Sequence, residues 1–349
     1  MKNEVIIIGA GLTGLTIAYL LQKKGIRATI IESRDRIGGR INTVATETNT
    51  DLELGATWFA NGHIHLRSLL DEFNIGYFEQ YQEGESALVY NSMVPAHRFV
   101  TPPNEEKSNR IENGSNAIIN ALSNAFTGSI VLNEKIERIT EKGNSLELTS
   151  HTNKTYSSAK VIVTLPPKLI ASQIEFTPSL PSELITAMNA THTWMSDAMK
   201  FTLTYKTPFW KQEGKSGMVI SQIGPAAEVY DHSNYQQNQF ALMGFINQNL
   251  RNYSREDRKA KIVAYISQYL SSKAENYLDY KEKDWSLDED TSTKDVLIAN
   301  GYRLPYGNPI LSKKYMNDKL YFSGTETSKQ FGGYMEGAII AALGLAKSF

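Results

Sequence analysis

Residues 4–40 read EVIIIGAGLTGLTIAYLLQKKGIRATIIESRDRIGGR, and four signals at fixed spacing lie within them. The apolar run Val5–Ile8 fits a strand buried on both faces. Gly9-Ala10-Gly11-Leu12-Thr13-Gly14 follows. Its glycines permit a tight turn, close approach of backbone to a pyrophosphate, and close helix–strand packing. Leu15, Ala18 and Leu21 then recur at helical spacing, which aims the N-terminal amides of that helix at the phosphates. A second strand, Ala28–Ile31, ends in Glu32, placed to accept hydrogen bonds from a ribose diol. Together these predict a dinucleotide-binding βαβ unit. An ordinary βαβ unit with incidental glycines has no need of the terminal acid.

The next residues decide which dinucleotide. Arg36-Ile37-Gly38-Gly39-Arg40 comes directly after the second strand, ahead of an extended Ile41-Asn42-Thr43 segment. Two glycines between two arginines predict a flexible turn with fixed positive charge, suited to gripping a diphosphate from its other side. A solvated basic loop is the plainer alternative. The arrangement resembles the FAD-containing amine oxidoreductase family (flavin monoamine oxidase-like), and on that resemblance the chain is a short member with a reduced substrate cap. The resemblance implies FAD as cofactor, with Glu32 at the adenosine ribose and Arg40 by the pyrophosphate, and with Arg34 and Gly39 among the cofactor-binding residues. Leu52-Glu53-Leu54-Gly55-Ala56-Thr57-Trp58 looks like the family segment that brings backbone amides to the flavin, and the backbone near Ile136 like its adenine contact.

A second strong signature closes the chain: Leu320-Tyr321-Phe322-Ser323-Gly324-Thr325-Glu326, then Gly332-Gly333-Tyr334-Met335-Glu336-Gly337. An apolar strand ends at Gly324, and the glycine pair opens a helix running through Ala346. In the family this helix points its N-terminus at the flavin N1/O2 edge, where negative charge accumulates on reduction. Gly324 would pass close to the ribityl chain and Glu326 would accept from its hydroxyls.

Between these ends the patterns are coarser. Ile130–Leu132, Ile136–Thr140 and Leu146–Ser150 alternate apolar and polar, predicting a small antiparallel sheet, and Val161–Leu165 predicts a return strand to the main sheet. Lys200–Trp210 alternates again and predicts a second sheet; Arg255–Ser272 has helical spacing. Residues 79–110 hold Pro95, Pro102 and Pro103 and predict irregular chain with one strand, Ala87–Tyr90. The expected fold is α/β. A Rossmann-like FAD-binding domain of the GR2 flavoprotein type comprises residues 1–78, 111–189 and 288–349. An interleaved α+β substrate domain with a mixed or antiparallel sheet comprises 79–110 and 190–287.

Composition narrows the partners. A net charge of −1 over 349 residues leaves no electrostatic footprint for nucleic acid. No apolar stretch reaches the length of a membrane span, and with no leader or tail anchor expected, a soluble cytoplasmic protein is the expectation. Zero cysteines exclude a disulfide framework, a cysteine metal site and a cysteinyl bond to the flavin, so noncovalent FAD is expected. His63 and His65 precede a helical pattern and read as helix entry rather than metal ligands.

Lys200 is the main catalytic candidate. A strand lysine between apolar neighbours is ordinarily an exposed alternation residue, but the flanks Ala198-Met199 and Thr204-Tyr205-Lys206-Thr207 match the family. There the equivalent lysine holds a water at flavin N5 and is linked to reoxidation by oxygen. Tyr334 aligns with one tyrosine of the pair that sandwiches amine substrates. The partner is expected about ten residues after Trp285, where Thr291-Ser292-Thr293-Lys294-Asp295 has no aromatic; Tyr302 or Tyr306 are the candidates to fill that place, or Asp295 faces the cavity and attracts a cation. Trp58 and Trp285 are further candidates for the cavity wall. Glu213, Asp231 and Asp288-Glu289-Asp290 read as solvated surface.

The resemblance implies an oxidase that takes hydride from the α-carbon of a small amine to flavin N5. The imine then hydrolyses to an aldehyde or keto product, and O2 is reduced to H2O2. Desaturation or dehydrogenation of a biosynthetic intermediate on the same fold is the alternative, and a non-catalytic flavin-binding protein is a third. Oligomeric state is not legible.

Overall fold

The computed structural model describes residues 3–46, 51–293 and 305–349; Asp295 and Tyr302, two candidates for the cavity, lie outside the described residues. The Asn3–Ile8 strand is apolar from Val5 onward because both of its faces are covered. Val5 and Ile7 pack with Leu15, Leu21, Ile118, Leu122 and Ile339 beneath three helices, Leu12–Lys23, Asn116–Ala125 and Met335–Ala346. Ile6 and Ile8 pack on the opposite face with Val161, Val163, Leu146 and Leu148.

Ser129–Val131, Ala28–Ile31, Asn3–Ile8 and Thr155–Val163 lie side by side in parallel. Thr155–Val163 then branches. Its first residues pair antiparallel with Ser145–Ser150, which is antiparallel to Ile136–Lys142, while Val161–Val163 pairs in parallel with Leu320–Phe322. The expected separate antiparallel sheet is therefore part of the main one. Its first member, Ser129–Val131, instead forms the parallel edge beside Ala28–Ile31. Alternation reports which faces are covered, not the direction of the neighbouring strand.

The second sheet runs Asp279–Asp284, Met199–Tyr205, Phe240–Ile246, Ala226–Asp231, Lys215–Ser221, Glu85–Val89, His97–Val100. It is antiparallel apart from the parallel pairing of Lys215–Ser221 with Glu85–Val89. Residues 79–110 are thus richer in strand than their prolines imply; Asn109–Ile111 also pairs with Trp58–Phe59 and Tyr77–Glu79. The Met199–Tyr205 strand is buried at every position. Phe201, Leu203 and Tyr205 pack with Ile262 and Ile266 of the Arg255–Tyr269 helix. Lys200, Thr202 and Thr204 alternate onto the other face. The strand stops at Tyr205 rather than reaching Trp210, because Pro208 lacks a ladder donor; Phe209–Gln212 turns into a short helix instead.

Between the Asn3–Ile8 strand and the helix after it, the glycines do what the spacing implied. Gly9 sits at φ +105°, and a Cβ on Gly14 would lie 2.0 Å from the Gly9 carbonyl oxygen. Gly14→Ala is therefore expected to cost about 3 kcal/mol through overpacking against backbone. Gly143→Ala, at φ +56° with nothing within 4 Å, is expected to cost about 1 kcal/mol. Urea unfolding of the two variants checks this, and equal midpoints would mean that the helix is not packed on the turn as described.

Candidate functional site

A cavity of about 490 Å³ runs from the carboxyl ends of the parallel strands to the second sheet, within the range of small-molecule sites. Gly9, Gly11, Leu12 and Thr13 line one end together with Glu32 and Arg34. Gly39 and Arg40 come next, then Gly55, Ala56, Thr57 and Trp58, with Gly333, Tyr334 and Met335 across from them. The Leu12–Lys23 and Met335–Ala346 helices both start on this cavity, and neither N-terminus is capped by a side chain. Their first-turn amides are left for a ligand. Glu32 is buried; its Oε2 accepts the Ala10 amide at 2.7 Å and its Oε1 the Arg34 amide at 3.0 Å, which fixes the carboxylate in the wall. Two open helix N-termini and a fixed carboxylate fit FAD: the first helix would receive its pyrophosphate, Glu32 its ribose diol, and the second helix the ring edge that gains charge.

Five residues expected to touch the cofactor are not among those lining this cavity. Gly14 serves helix packing, and Gly324 does not reach the lining. Ile136 faces a small recess that adjoins the cavity, sharing Gly9, Leu165 and Asp290 with its lining. Trp285 is fully buried and donates its indole N–H to the Leu54 carbonyl at 2.7 Å, holding up the 52–58 segment from below. Glu326, expected to receive ribityl hydroxyls, accepts both ends of the Arg40 guanidinium, at 2.5 and 3.1 Å. The carboxylate thereby orients an arginine that does line the cavity. Arg36 is spent likewise on the turn itself, donating to the carbonyls of Ile37, Gly39 and Ile41. The diphosphate clamp read from two arginines is left with Arg40.

Lys200 lies where the cofactor half meets the rest. It is 1 % exposed, and its Nζ donates to the Gly55 carbonyl at 2.7 Å and the Thr57 hydroxyl at 2.6 Å. The rings of Phe245 and Trp58 lie 5.3 and 5.5 Å from the ammonium. Burial pulls its pKa down to about 7; Arg110 acts in the same direction and Glu53 against it. Glu53 is buried as well, accepting the Ser115 amide at 2.5 Å and the Thr43 hydroxyl at 2.9 Å, and burial raises its pKa. His232 receives the Glu53 amide on Nε2 at 3.0 Å, and burial, Arg110 and Lys200 hold it well below the usual histidine range, as a neutral ring.

Beyond Lys200 the lining turns aromatic, with Trp194, Tyr230, Phe245 and Tyr306 beside Trp58 and Tyr334. Tyr306, one of the candidates to replace the missing cage tyrosine, does reach the cavity, and Thr291 stands in the wall nearby. Gln80 ties the wall together: it accepts from the Trp58 indole at 2.8 Å and donates to the Asp231 carbonyl at 2.8 Å. Asp231 itself is not solvated surface. It is 1 % exposed and accepts from the Trp210 indole and the Ser233 hydroxyl, both at 2.8 Å. Asp288 is also sequestered, by Arg34 at 2.5 Å and Lys283 at 2.8 Å, and Asp290 lines the cavity; Glu213 is paired with Lys215 and Lys273. His63 precedes the Ile64–Glu72 helix, as expected, and no group of metal-ligating side chains occurs among the described residues. Among these residues no helix is long and apolar enough to cross a membrane. Sequence reading missed Glu53, Gln80, Arg110, Glu228, Tyr230 and His232. Only Glu53 had a local signal, its place within the Leu52–Trp58 segment.

Comparison with known proteins agrees with this geometry. Residues 77–347 match the family profile described as flavin containing amine oxidoreductase, and residues 7–73 that of the NAD(P)-binding Rossmann-like domain. The chain is 24 % identical to a probable flavin-containing monoamine oxidase A of Dictyostelium discoideum over 455 aligned positions, covering 99 % of this chain and 96 % of that protein. To a flavin-containing amine oxidase B of Sus scrofa it is 21 % identical, covering 97 % and 84 %. Among solved structures, a putrescine oxidase bound to putrescine superposes with a TM-score of 0.84 at 20 % identity, over 100 % of this chain and 99 % of that one. A cyclohexylamine oxidase from Brevibacterium oxydans gives 0.84 at 17 %, with the same coverage.

The Arg40–Glu326 pair is open to test. Glu326 is fully buried, so Glu326→Gln leaves a guanidinium without its counter-charge and is expected to cost about 3–5 kcal/mol. Guanidinium chloride unfolding reads this, and a loss below about 1 kcal/mol would place the carboxylate's role elsewhere.

Proposed function

Because this chain belongs to the flavin containing amine oxidoreductases, whose cofactor is FAD, we propose that it oxidises a small amine with O2 as the electron acceptor. The observation that carries this reading is the buried ammonium of Lys200, held by two fixed oxygens where the cofactor half of the cavity meets its aromatic half. The chemistry supplied by bound FAD is acceptance of hydride from the amine's α-carbon and return of the electron pair to O2, giving H2O2. The resulting imine hydrolyses to an aldehyde or ketone. Lys200 has two of its three N–H bonds committed to Gly55 and Thr57, which leaves the third for a water molecule at the reacting face. Its positive charge complements the anionic species formed as oxygen takes up electrons. The same charge repels an ammonium, so the amine that approaches it is in its neutral form. Trp58, Phe245 and Tyr334 supply apolar walls that orient the amine and exclude bulk water. Glu53, placed behind Lys200, favours the charged form of the ammonium.

Anaerobic mixing of the purified yellow protein with a panel of amines tests the reading: bleaching of the flavin, with H2O2 formed on admitting air, is the expected result. A protein that no amine bleaches is not an amine oxidase. Lys200→Met is expected to slow reoxidation at least tenfold while leaving the rate of flavin reduction within about twofold. Stopped flow separates the two half-reactions.

The half-reactions also respond oppositely to pH. Reoxidation falls as pH rises through about 7, where Lys200 loses its proton, whereas reduction rises with pH as the substrate amine becomes neutral. Glu53→Gln removes the carboxylate that holds Lys200 charged, so the fall in reoxidation is expected below pH 7. A profile identical to the wild type would separate Glu53 from Lys200.

A further inference from the structure

The second sheet sets two opposite charges at a fixed separation on one face. Lys200 is registered with Phe245, and Phe245 with Glu228. Directly opposed residues share a face of an antiparallel sheet, and all three line the cavity. Two strand spacings put the Lys200 and Glu228 backbones roughly 10 Å apart. The wall between them is aromatic. Trp58 stands edge-on to Tyr230 with centroids 5.1 Å apart, and Trp58 and Trp194 lie 6.3 and 6.1 Å from Phe245.

Glu228 has no partner of opposite charge among the described residues. Among the described residues it accepts the Tyr230 hydroxyl on Oε2 at 3.0 Å and forms no ion pair. Burial, reinforced by the carboxylate itself, pushes the Tyr230 phenol far above its usual range, so this hydroxyl stays a donor. A carboxylate facing an aromatic cavity, oriented by one hydrogen bond and lacking a cation, is complementary to a cationic ligand.

We propose that Glu228, oriented by Tyr230, is a subsite for a second cationic group, so that the substrates are amines carrying a further ammonium at the far end of an alkyl chain. This rests on the amine-oxidation reading above. The two ends of the cavity sort a single proton. The Lys200 end disfavours an ammonium, and the Glu228 end holds one. The monocation of an alkyl diamine satisfies both, with its neutral nitrogen presenting the α-carbon that reacts. A simple monoamine leaves Glu228 desolvated and unpaired.

Cadaverine and n-pentylamine have the same five-carbon chain and differ in the second amine alone. Calorimetric titration of each into dithionite-reduced holoenzyme under nitrogen measures binding without turnover. The expected result is cadaverine binding roughly tenfold or more tightly, a preference that Glu228→Gln removes by weakening cadaverine and not n-pentylamine. In the wild type the preference narrows as salt is raised, a readout that needs no variant. Equal affinity for the two amines, or an undiminished preference in Glu228→Gln, overturns the subsite. If both amines bleach the oxidised enzyme with no preference in binding, the oxidation reading stands and the subsite falls. If neither bleaches it while the reduced enzyme still prefers cadaverine through Glu228, the subsite stands and the oxidation reading falls.

Discussion

A cation taken out of water is tolerated only where fixed oxygens replace its hydration shell. The Lys200 ammonium meets that condition through the Gly55 carbonyl and the Thr57 hydroxyl. Those oxygens belong to the segment that lines the cofactor half of the cavity, whereas Lys200 belongs to the second sheet, one strand in from its edge. One buried group therefore ties the second sheet to the segment that lines the cofactor half. Trp285 reinforces the junction from below by bonding Leu54, and His232 does so by bonding the Glu53 amide. The two residues preceding 55–57 are thereby held, as Trp58 after them is by Gln80, and little freedom remains for the ammonium to relax toward solvent.

The same junction explains why the cavity is continuous yet chemically divided. Backbone amides, glycines and Arg40 make one half, a surface suited to phosphates and sugar hydroxyls. Indole, phenyl and phenol rings make the other, joined by the bonds from Trp58 to Gln80 and from Gln80 to Asp231. Trp58 belongs to both halves, since its segment lines the first and its ring contacts Tyr230 and Phe245 in the second.

What could be read from the chain follows how local the cause is. The turn at Gly9–Gly14, the acid at Glu32 and the glycines before Met335 are set by backbone requirements within a few residues, and the spacing carried them. Ile130–Leu132 reads as part of a small antiparallel sheet, whereas Ser129–Val131 joins the parallel edge, because three residues say nothing of the strand they will join. Asp231 was misread because an acidic residue is exposed by default; the groups that bury it, Trp210 and Ser233, meet it only after folding. Lys200 became visible through its flanks, while Glu228 had no distinguishing neighbour. Its place beside Phe245 depends on register across strands, which no single segment encodes.

The pairing of Arg40 with Glu326 joins residues 286 positions apart, and the strand before Glu326 slots in beside Thr155–Val163. The turn of the N-terminal unit is local, but the wall opposite it is made by residues more than 300 positions further along, at Gly332–Met335. A prematurely ended chain would present the glycine turn with Arg40 unrestrained and the second helix missing. Closing the cavity around a dinucleotide therefore joins segments remote in the chain, and the N-terminal unit cannot complete that wall alone.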